Sequence, residues 1–473
     1  MRKNRSNSAA ALIELGGTGP AHRRLEEAIR AAIRDGRLRP GEALPASRNL
    51  AGDLGLSRWV VTEAYQQLTA EGFLITRPGS ATRVADATTR TPAPSLEEDL
   101  EGDEVLPPSL VDLRPGLPDV AAFPRTAWTR AYATTVRTLT PDQWRYPDPL
   151  GVPVLRSTVA DYVRRVRGVD ADRHRVLITG GTTDAIRHLS RCLVTLGIRR
   201  LMVEDPGWPT LAAAASGGGL SVEPVPVDRE GLVVDALPTS RTAVLVTPAH
   251  QFPTGVALSA ARRTQLIRWA TATGSIVIED DYDAEFRYDR RPVGALAGLD
   301  PDRVVYLGSV SKTLAPALRL GWLVAPPPLR QPLQDAFADA GRSALEQHAL
   351  AVFVANGDYD RHLRHMRRQY EQRRDVLLSA LRSTVPTLQV AGVAAGLHLL
   401  IRLPDTAAET GLTERLTHQG ILVTPLNRYQ HRPADAGIVV GFARLTAHQA
   451  PRVGRELAAT LQQALRWMDD LGG

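Results

Sequence analysis

The stretch "SVSKTLAPALRLGW", residues 309–322, decides the fold and the chemistry expected of most of this chain. It places Lys312 between two serines, and Arg319 follows seven positions later. The apolar run "RVVYLG" (303–308) comes directly before it and is typical of a strand that is buried on both faces of a sheet. Because lysine is scarce in this arginine-rich chain, a lysine at the end of such a strand needs a chemical explanation.

Similar short, β-branched runs recur through the middle of the chain. They are "RVLIT" (175–179), "RLMVED" (200–205), "AVLVTP" (243–248), "SIVIEDD" (275–281) and "LGWLVA" (320–325). Helical stretches separate them, so the sequence predicts a mostly parallel sheet with crossover helices. Beyond about residue 330, longer helices and a few further strands predict a smaller α+β part. The whole is an α/β domain, predicted over residues 110–473, with a large part at about 146–328 and a small part at 110–145 and 329–473.

A pyridoxal phosphate site needs a lysine for the Schiff base, a carboxylate on the ring nitrogen, an aromatic face and donors for a phosphate. Lys312 supplies the amine. Ser309 and Ser311 offer hydroxyl groups to the phosphate, and the Arg319 guanidinium can bind it with two hydrogen bonds.

The ends of other predicted strands supply the remaining groups. Asp280 is placed to pair with the ring nitrogen, and Tyr282 lies two residues beyond it. The predicted cofactor-binding residues at the other strand ends are Gly181, Thr182 and Thr183 for the phosphate, Trp208 for stacking, and His250 and Gln251 at the rim. Each signal alone is weak, because such residues more often face solvent or pack, and the prediction depends on their order along successive strand ends. The sequence predicts no metal site.

Residues from about 112 to 470 resemble the fold-type I aminotransferases, and "SVSKTLAPALRLG" matches their lysine segment. The resemblance implies that Lys312 forms the Schiff base, that Asp280 pairs with the pyridine nitrogen and that Tyr282 meets the ring hydroxyl. "YPDPLGVPVLR" resembles the segment whose tyrosine, here Tyr146, reaches the phosphate of the partner subunit. A homodimer is therefore expected.

One departure from the family bears on activity. These aminotransferases bind the substrate α-carboxylate with an arginine three residues before the phenylalanine of the last strand. In "GIVVGFARL" that phenylalanine is Phe442 and the position holds Val439, while Arg444 stands two places beyond. Without a partner the carboxylate would be desolvated at a cost, so general transaminase activity is not expected.

The first part of the chain has a different pattern. Residues 18–84 read as helix, helix, turn, helix and hairpin, which predicts a winged helix-turn-helix domain. The segment "GRLRPGEALPASRNLAGDLGLSRWVVTEAYQQLTAEGFLITRPGSATRV" resembles the DNA-binding domain of the GntR family. The predicted DNA contacts are Arg48, Ser57, Arg58, Trp59, Thr62 and, on the wing, Arg77, with Arg58 as the reader of a guanine. A winged helix that binds protein is the alternative.

Residues 85–109 replace the apolar periodicity with Thr, Pro and seven acidic residues, which predicts a flexible linker. Residues 1–84 hold 13 Lys/Arg against 8 Asp/Glu, nearly the whole excess of a chain whose net charge is +6. A basic end of this kind suggests a polyanion as partner, although a solvated basic tail has the same charge. The single cysteine fits a reducing compartment, and no apolar run is long enough to span a membrane, so we expect a cytoplasmic protein without a membrane partner.

A GntR-type domain joined by a linker to an aminotransferase-like domain resembles the MocR subfamily of bacterial regulators. The segments "EDDYDAEFRYDRRP" and "HQFPTG" are close to sequence motifs of that subfamily. The resemblance implies a regulator that binds operator DNA through the winged helix and pyridoxal 5'-phosphate through Lys312. Three functions remain open. They are a sensor of pyridoxal phosphate that controls vitamin B6 biosynthesis, as in the members called PdxR; a regulator that responds to an amino compound such as GABA, taurine or a D-amino acid; and an active aminotransferase with an accessory DNA-binding domain.

Overall fold

A computed structural model describes residues 12–471 except 14, 17, 77–79, 86–109, 290–292, 339–340 and 447. The chain divides into two compact units, Met1–Val105 and Leu106–Gly473. The predicted wing residue Arg77 and the predicted linker from residue 86 onward lie outside the described residues. No described helix combines the length and the apolar character that a membrane span requires.

The first unit is a winged helix-turn-helix, as predicted. Its elements are α1 (Ala21–Arg34), α2 (Ser47–Leu54), α3 (Arg58–Ala70), β1 (Leu74–Ile75) and β2 (Arg83–Val84), of which the two strands pair antiparallel. Gly55 turns the chain between α2 and α3 with φ at +66°, a conformation that favours glycine. Ser57 caps α3, because its hydroxyl accepts a hydrogen bond from the Val60 amide at 3.3 Å. Leu25, Ile29 and Val61 are fully buried in the core beneath the helices.

The second unit is built on an eight-stranded sheet. Its strands are β4 (Val176–Thr179), β5 (Arg200–Asp205), β6 (Ser221–Asp228), β7 (Gly231–Leu232), β8 (Ala243–Val246), β9 (Ile276–Asp280), β10 (Val304–Ser309) and β11 (Gly321–Val324). Their order in the sheet is β4-β11-β10-β9-β8-β5-β6-β7. Five neighbouring strands, from β10 to β6, run parallel, and β11 pairs antiparallel with both β10 and β4. As a result, β4, β5, β8, β9 and β10 all end at the same edge of the sheet.

The sheet is buried on both faces. In β10, Val304 and Tyr306 belong to one apolar core, whereas Val305 and Leu307 belong to the core on the opposite face. The helices of this unit are α4 (Arg125–Thr138), α5 (Pro153–Arg167), α6 (Thr182–Thr195), α7 (Pro209–Gly217), α8 (Ala260–Thr273), α9 (Arg330–Ala336), α10 (Ala344–Ala355), α11 (Asp358–Thr384), α12 (Thr406–His418) and α13 (Ala450–Leu471). Continuous apolar strands covered by helices are what the sequence pattern predicted, and the α/β class is confirmed.

A smaller, antiparallel sheet follows the long helix α11. Its strands are β12 (Val390–Ala391), β13 (His398–Leu403), β15 (Thr424–Pro425) and β16 (Ala436–Gly441), in the order β12-β13-β16-β15. A separate parallel pair joins β3 (Val111–Asp112), at the start of the unit, to β14 (Ile421–Leu422). The beginning of this unit therefore packs with its C-terminal part.

Candidate functional site

A cavity of about 510 Å³ lies at the edge of the large sheet where the parallel strands end. This volume is within the range of pockets that hold small molecules. Ten of the residues predicted from the sequence line it: Gly181, Thr182, Thr183, Trp208, Asp280, Tyr282, Ser309, Ser311, Lys312 and Arg319. The geometry thus brings residues from four strand ends to one place.

Lys312 projects its amine into the cavity and donates a hydrogen bond to the backbone oxygen of Gly116. Burial lowers the pKa of Lys312, although the nearby carboxylates of Asp280 and Asp283 act in the opposite direction. A larger share of neutral amine follows, and the neutral amine is the form that attacks a carbonyl carbon.

Asp280 ends β9 and is buried, and it lines the cavity. Its Oδ1 has no hydrogen-bond partner within the part of the chain that the structure describes. Burial raises the pKa of Asp280 to about 7, and the neighbouring Asp281 carboxylate adds to the increase. A buried carboxylate oxygen without a donor fits a protonated ring nitrogen, whose positive charge would favour the ionised aspartate.

A cluster of donors lies at the start of α6. A Cβ placed on Gly181 would lie 3.9 Å from Ser311 Oγ and 4.0 Å from Arg319 Nη1, so these groups surround one small volume. Ser309 Oγ donates to Ser311 Oγ at 2.8 Å. Arg319 has φ at +49°, which is uncommon for a residue other than glycine. Backbone amides of a helix N-terminus, hydroxyl groups and a guanidinium together favour a phosphate.

Aromatic side chains form one wall. Trp208 stacks on Tyr429 with ring centroids 5.9 Å apart and planes at 21°, and it meets Phe252 edge-on at 4.9 Å. All three rings line the cavity. Phe252 and Tyr429 therefore fix the orientation of the Trp208 ring in the wall of the cavity.

His250 is not among the residues that line the cavity, although the sequence predicted it at the rim. It is buried beside Tyr282. Its Nδ1 lies 2.9 Å from Asp283 Oδ2 and 3.2 Å from the Tyr282 hydroxyl, which also donates to the His250 backbone oxygen at 3.1 Å. The side chains of His250, Asp283 and His398 can bring one ligand atom each to within 4.8 Å of one another. His250, itself held by Asp283, therefore fixes the position of the Tyr282 phenol.

Gln251 is also absent from the lining. Its amide nitrogen donates to the backbone oxygens of Pro206 and Phe252 and to Glu204 Oε2. Glu204 does line the cavity and accepts hydrogen bonds from the backbone and hydroxyl of Thr247, while burial raises its pKa to about 7. Gln251 therefore supports the strand end instead of facing the cavity.

Val439, at the position of the carboxylate-binding arginine of the aminotransferases, has apolar surroundings. Val439 is fully buried in β16 and packs in an apolar cluster with Phe252, Leu400, Leu426 and Tyr429. Arg444, the nearest arginine in sequence, forms an ion pair with Asp112 at 2.8 Å and is not among the lining residues.

The polar residues of the lining that the sequence did not predict include the Gly116 carbonyl, Glu204 and Arg428, together with Thr210, Thr247, His398, Gln430 and His431. Gly116 lies 196 positions from Lys312, a separation that no local pattern reveals. Glu204 stands in the strand "RLMVED" and could have been found as an acidic residue inside a buried run. Arg428 lies in a turn of 3-10 helix, Leu426–Tyr429, and carries no motif signal.

Tyr146 is fully exposed in the single chain and does not line the cavity. Its predicted role in the site of a partner subunit stays a prediction.

The predicted DNA contacts of the first unit lie on its surface. Arg48, Ser57, Arg58 and Trp59 are exposed, the last with 63% of its surface accessible. Thr62 is half-buried, and its hydroxyl donates to the Arg58 backbone oxygen at 2.9 Å. The start of α3 thus presents a guanidinium and an indole to solvent.

Comparison with known proteins gives two family matches. Residues 117–454 match aminotransferase class I and II, and residues 21–84 match the gntR family of bacterial regulatory proteins. The HTH-type pyridoxine biosynthesis transcriptional regulator PdxR of Corynebacterium glutamicum is 37% identical over 426 residues, covering 88% of this chain and 91% of that protein. The probable rhizopine catabolism regulatory protein MocR of Rhizobium meliloti is 34% identical over 474 residues, covering 96% and 95%. Among solved structures, Pyrococcus horikoshii kynurenine aminotransferase superposes with a TM-score of 0.69 at 25% identity, covering 76% of this chain and 92% of that one.

Proposed function

The chain belongs to the MocR subfamily of GntR-type transcription regulators, and on this basis we propose that it senses pyridoxal 5'-phosphate and controls vitamin B6 biosynthesis. The regulator acts on operator DNA in the cytoplasm as a homodimer. The similarity to PdxR over nearly the whole chain supports the choice of target.

The lining of the cavity supports the cofactor. Asp280 offers an unpartnered buried oxygen to the ring nitrogen, Lys312 offers an amine of lowered pKa, and Arg319 with the start of α6 offers donors to the phosphate. When bound, pyridoxal phosphate supplies an aldehyde that combines with primary amines and a ring that withdraws electrons. The protein's part would be to bind the ring and the phosphate through these side chains, with Trp208 and Tyr429 as an aromatic wall of the cavity.

Val439 is the observation that favours a sensor over an enzyme. An amino acid bound as in the aminotransferases would place its carboxylate against the apolar cluster in which Val439 packs with Phe252 and Leu400. Burying an unpaired carboxylate there costs roughly several kcal/mol, so binding of an amino acid in the orientation used by the aminotransferases is disfavoured.

A titration of operator DNA with the full-length chain, with and without pyridoxal phosphate, tests the proposal. We expect the cofactor to change DNA affinity, and we expect Lys312→Ala to abolish the change while leaving cofactor-free DNA binding intact. Equal affinity in both conditions would contradict the sensing function. Turnover with any amino donor in a transamination panel would revive the enzyme alternative.

A response to an amino compound is the second candidate, and Arg428 in the cavity lining favours it. The same DNA titration, repeated on the cofactor-loaded protein with amines added, separates a sensor of the cofactor from a sensor of an amine.

A further inference from the structure

Trp59 is a large apolar side chain on the surface of the winged helix-turn-helix. It leaves 63% of its surface accessible, whereas Val61 and Leu68 of the same helix are fully buried. Exposure alone does not define a site, because single apolar residues are common on protein surfaces. The place of Trp59 in the fold and the groups around it give this exposure a meaning.

Trp59 is the second residue of α3, and α3 is the second helix of the helix-turn-helix pair formed by α2 and α3. The side of α3 that faces the core consists of Val61, Ala64, Tyr65 and Leu68, and Trp59 lies outside it. In a helix-turn-helix the second helix enters the major groove of DNA with its first residues at the base edges. Trp59 therefore lies where base pairs are read.

The indole of Trp59 is supported from one side by α1. Its ring meets the His22 ring edge-on, with the centroids 6.1 Å apart and the planes at 73°. His22 lies in the first turn of α1, and Leu25 of the same helix shares an apolar core with Val61 of α3. Because a tryptophan has only two side-chain torsions, an indole supported in this way loses little conformational entropy when its free surface meets a ligand.

The charges near the starts of the two helices favour a polyanion over an apolar protein surface. Arg58 directly precedes Trp59 and is exposed, and Arg48, in the first turn of α2, is exposed as well. An apolar interface would desolvate these guanidinium groups without giving them partners. Phosphates and guanine edges supply such partners, so DNA is the ligand that satisfies the arginines and leaves the indole to meet a base.

The major groove offers an indole one matching group. Base edges there present hydrogen-bond donors and acceptors, and thymine adds a C5-methyl group, which is the apolar feature of the groove. An indole has a single donor and no acceptor, and the rest of its surface is apolar. A methyl group that packs on this surface is removed from water, which stabilises the contact.

We propose that Trp59 is a specificity-determining residue that contacts the C5-methyl group of a thymine in the major groove of the operator. Consecutive Cα atoms are about 3.8 Å apart and stacked base pairs about 3.4 Å, so this thymine lies within about two base pairs of the guanine that we expect Arg58 to contact. The inference rests on the proposed function, since it names a chemical feature of the operator that the regulator reads.

The test is a double-mutant cycle between the protein and the DNA. A duplex is selected from random DNA by the full-length chain, and each of its thymines is replaced in turn by deoxyuridine, which keeps every hydrogen-bonding group and lacks only the methyl. We expect one thymine in each half-site to be sensitive, with an affinity loss of about fourfold per methyl group. Trp59→Ala should lose affinity for the thymine duplex by a similar factor and should not respond to uracil at that position. Trp59→Phe, which keeps an apolar ring, should retain part of the response.

Ile75→Ala is the matched control, because Ile75 is an apolar side chain of the same unit, 44% exposed, and lies in β1 instead of α3. Its response to uracil should equal that of the wild type. A selected sequence without a sensitive thymine, a Trp59→Ala variant that keeps the wild-type response, or a loss of affinity in that variant that is equal for the thymine and uracil duplexes would overturn the proposal. The last result would indicate a contact with the sugar-phosphate backbone.

The failure of this inference can be told apart from the failure of the proposed function. If pyridoxal phosphate leaves operator affinity unchanged while the Trp59-dependent response to uracil persists, the sensing function is wrong and the thymine contact stands. If the cofactor controls binding to a selected sequence that shows no such response, only the thymine contact is wrong. A chain that enriches no sequence from random DNA contradicts operator binding itself, and with it both proposals.

Discussion

Lys312 and Gly116 are joined by a hydrogen bond from the lysine amine to the glycine carbonyl, across 196 positions of sequence. Gly116 stands at φ +107°, and a Cβ there would lie 3.3 Å from Trp208 Cη2. The segment that carries Gly116 is therefore packed against the aromatic wall and against the reactive amine at once. The amine expected to react with a carbonyl compound is thus held by a backbone oxygen of that segment.

Replacement of Lys312 by alanine should abolish the borohydride-reducible chromophore of the cofactor-loaded protein. The chain has only one other lysine, Lys3, so few alternative amines can react. Peptide mapping after reduction checks the result, and Lys3→Ala is the control that should keep the chromophore. A covalent adduct that persists on Lys3 or the N-terminal amine in Lys312→Ala would contradict the assignment.

The stability of the cofactor-free protein should depend on pH through Asp280. Its pKa is about 7 in the folded protein against an ordinary value near 3.8, so the folded state holds a proton that the unfolded state has lost. The contribution of Asp280 to the free energy of unfolding therefore falls as pH rises from about 4 to about 7 and is constant above that.

Asp280→Asn removes this dependence. The variant should gain on the order of 2 kcal/mol relative to wild type between pH 4.5 and pH 8, measured by chemical denaturation at both values. Asp142→Asn is the control, because the Asp142 side chain is 90% exposed. A gain at low pH instead of high pH would show that the sign is wrong.

Val439→Arg should destabilise the second unit without creating a transaminase. The arginine would enter an apolar cluster that offers it no carboxylate, at a cost of more than about 3 kcal/mol. Val439→Ala, which only removes two methyl groups, should cost about 1–3 kcal/mol. Denaturant unfolding compares the two, and an Arg variant as stable as wild type would mean that the cluster opens to solvent.

Arg58→Ala should relax the preference for one base of the operator. The side chain is exposed at the first residue of α3, and loss of a two-hydrogen-bond contact with guanine costs about 1–3 kcal/mol at that position. Selection of preferred sites from random DNA, followed by affinity measurement, checks this. Arg34→Ala removes an equal charge from the end of α1 and should leave the preferred sequence unchanged.

Tyr146 offers a test of the shared site in mixed dimers of Lys312→Ala and Tyr146→Phe chains. If the tyrosine acts in the site of the partner subunit, one site of each mixed dimer is intact and keeps native cofactor affinity. If it acts within its own chain, both sites are defective. Cofactor titration of purified mixed dimers distinguishes the two outcomes, with the Tyr146→Phe homodimer, expected to bind more weakly, as the reference.

The sequence was sufficient to predict residues whose position depends on strand ends. Lys312 and Trp208 follow buried parallel strands and Asp280 ends one, and the fold brings the ends of such strands to one edge. His250 and Gln251 also follow a strand, but the path of the loop turns them behind the lining, where they bond to Asp283 and Glu204. The direction of a side chain within a loop depends on such tertiary contacts, and the alternation of apolar and polar residues along the sequence does not predict it.

Arg428 shows a second limit. It lies in a short turn, and its place in the cavity results from the two hydrogen bonds that fasten its segment to Gly207 and Asp205. Neither bond has a local sequence signal. The absence of an arginine at Val439 was readable from the sequence, whereas the presence of another one in the same cavity was not.

Those two hydrogen bonds have a mechanical consequence. They connect the end of β5, in the large sheet, to the chain between β15 and β16 of the small sheet. The wall of the cavity at Trp208 and Tyr429 therefore joins the two sheets of this unit, and neither sheet can move away from the other at this place without breaking both bonds.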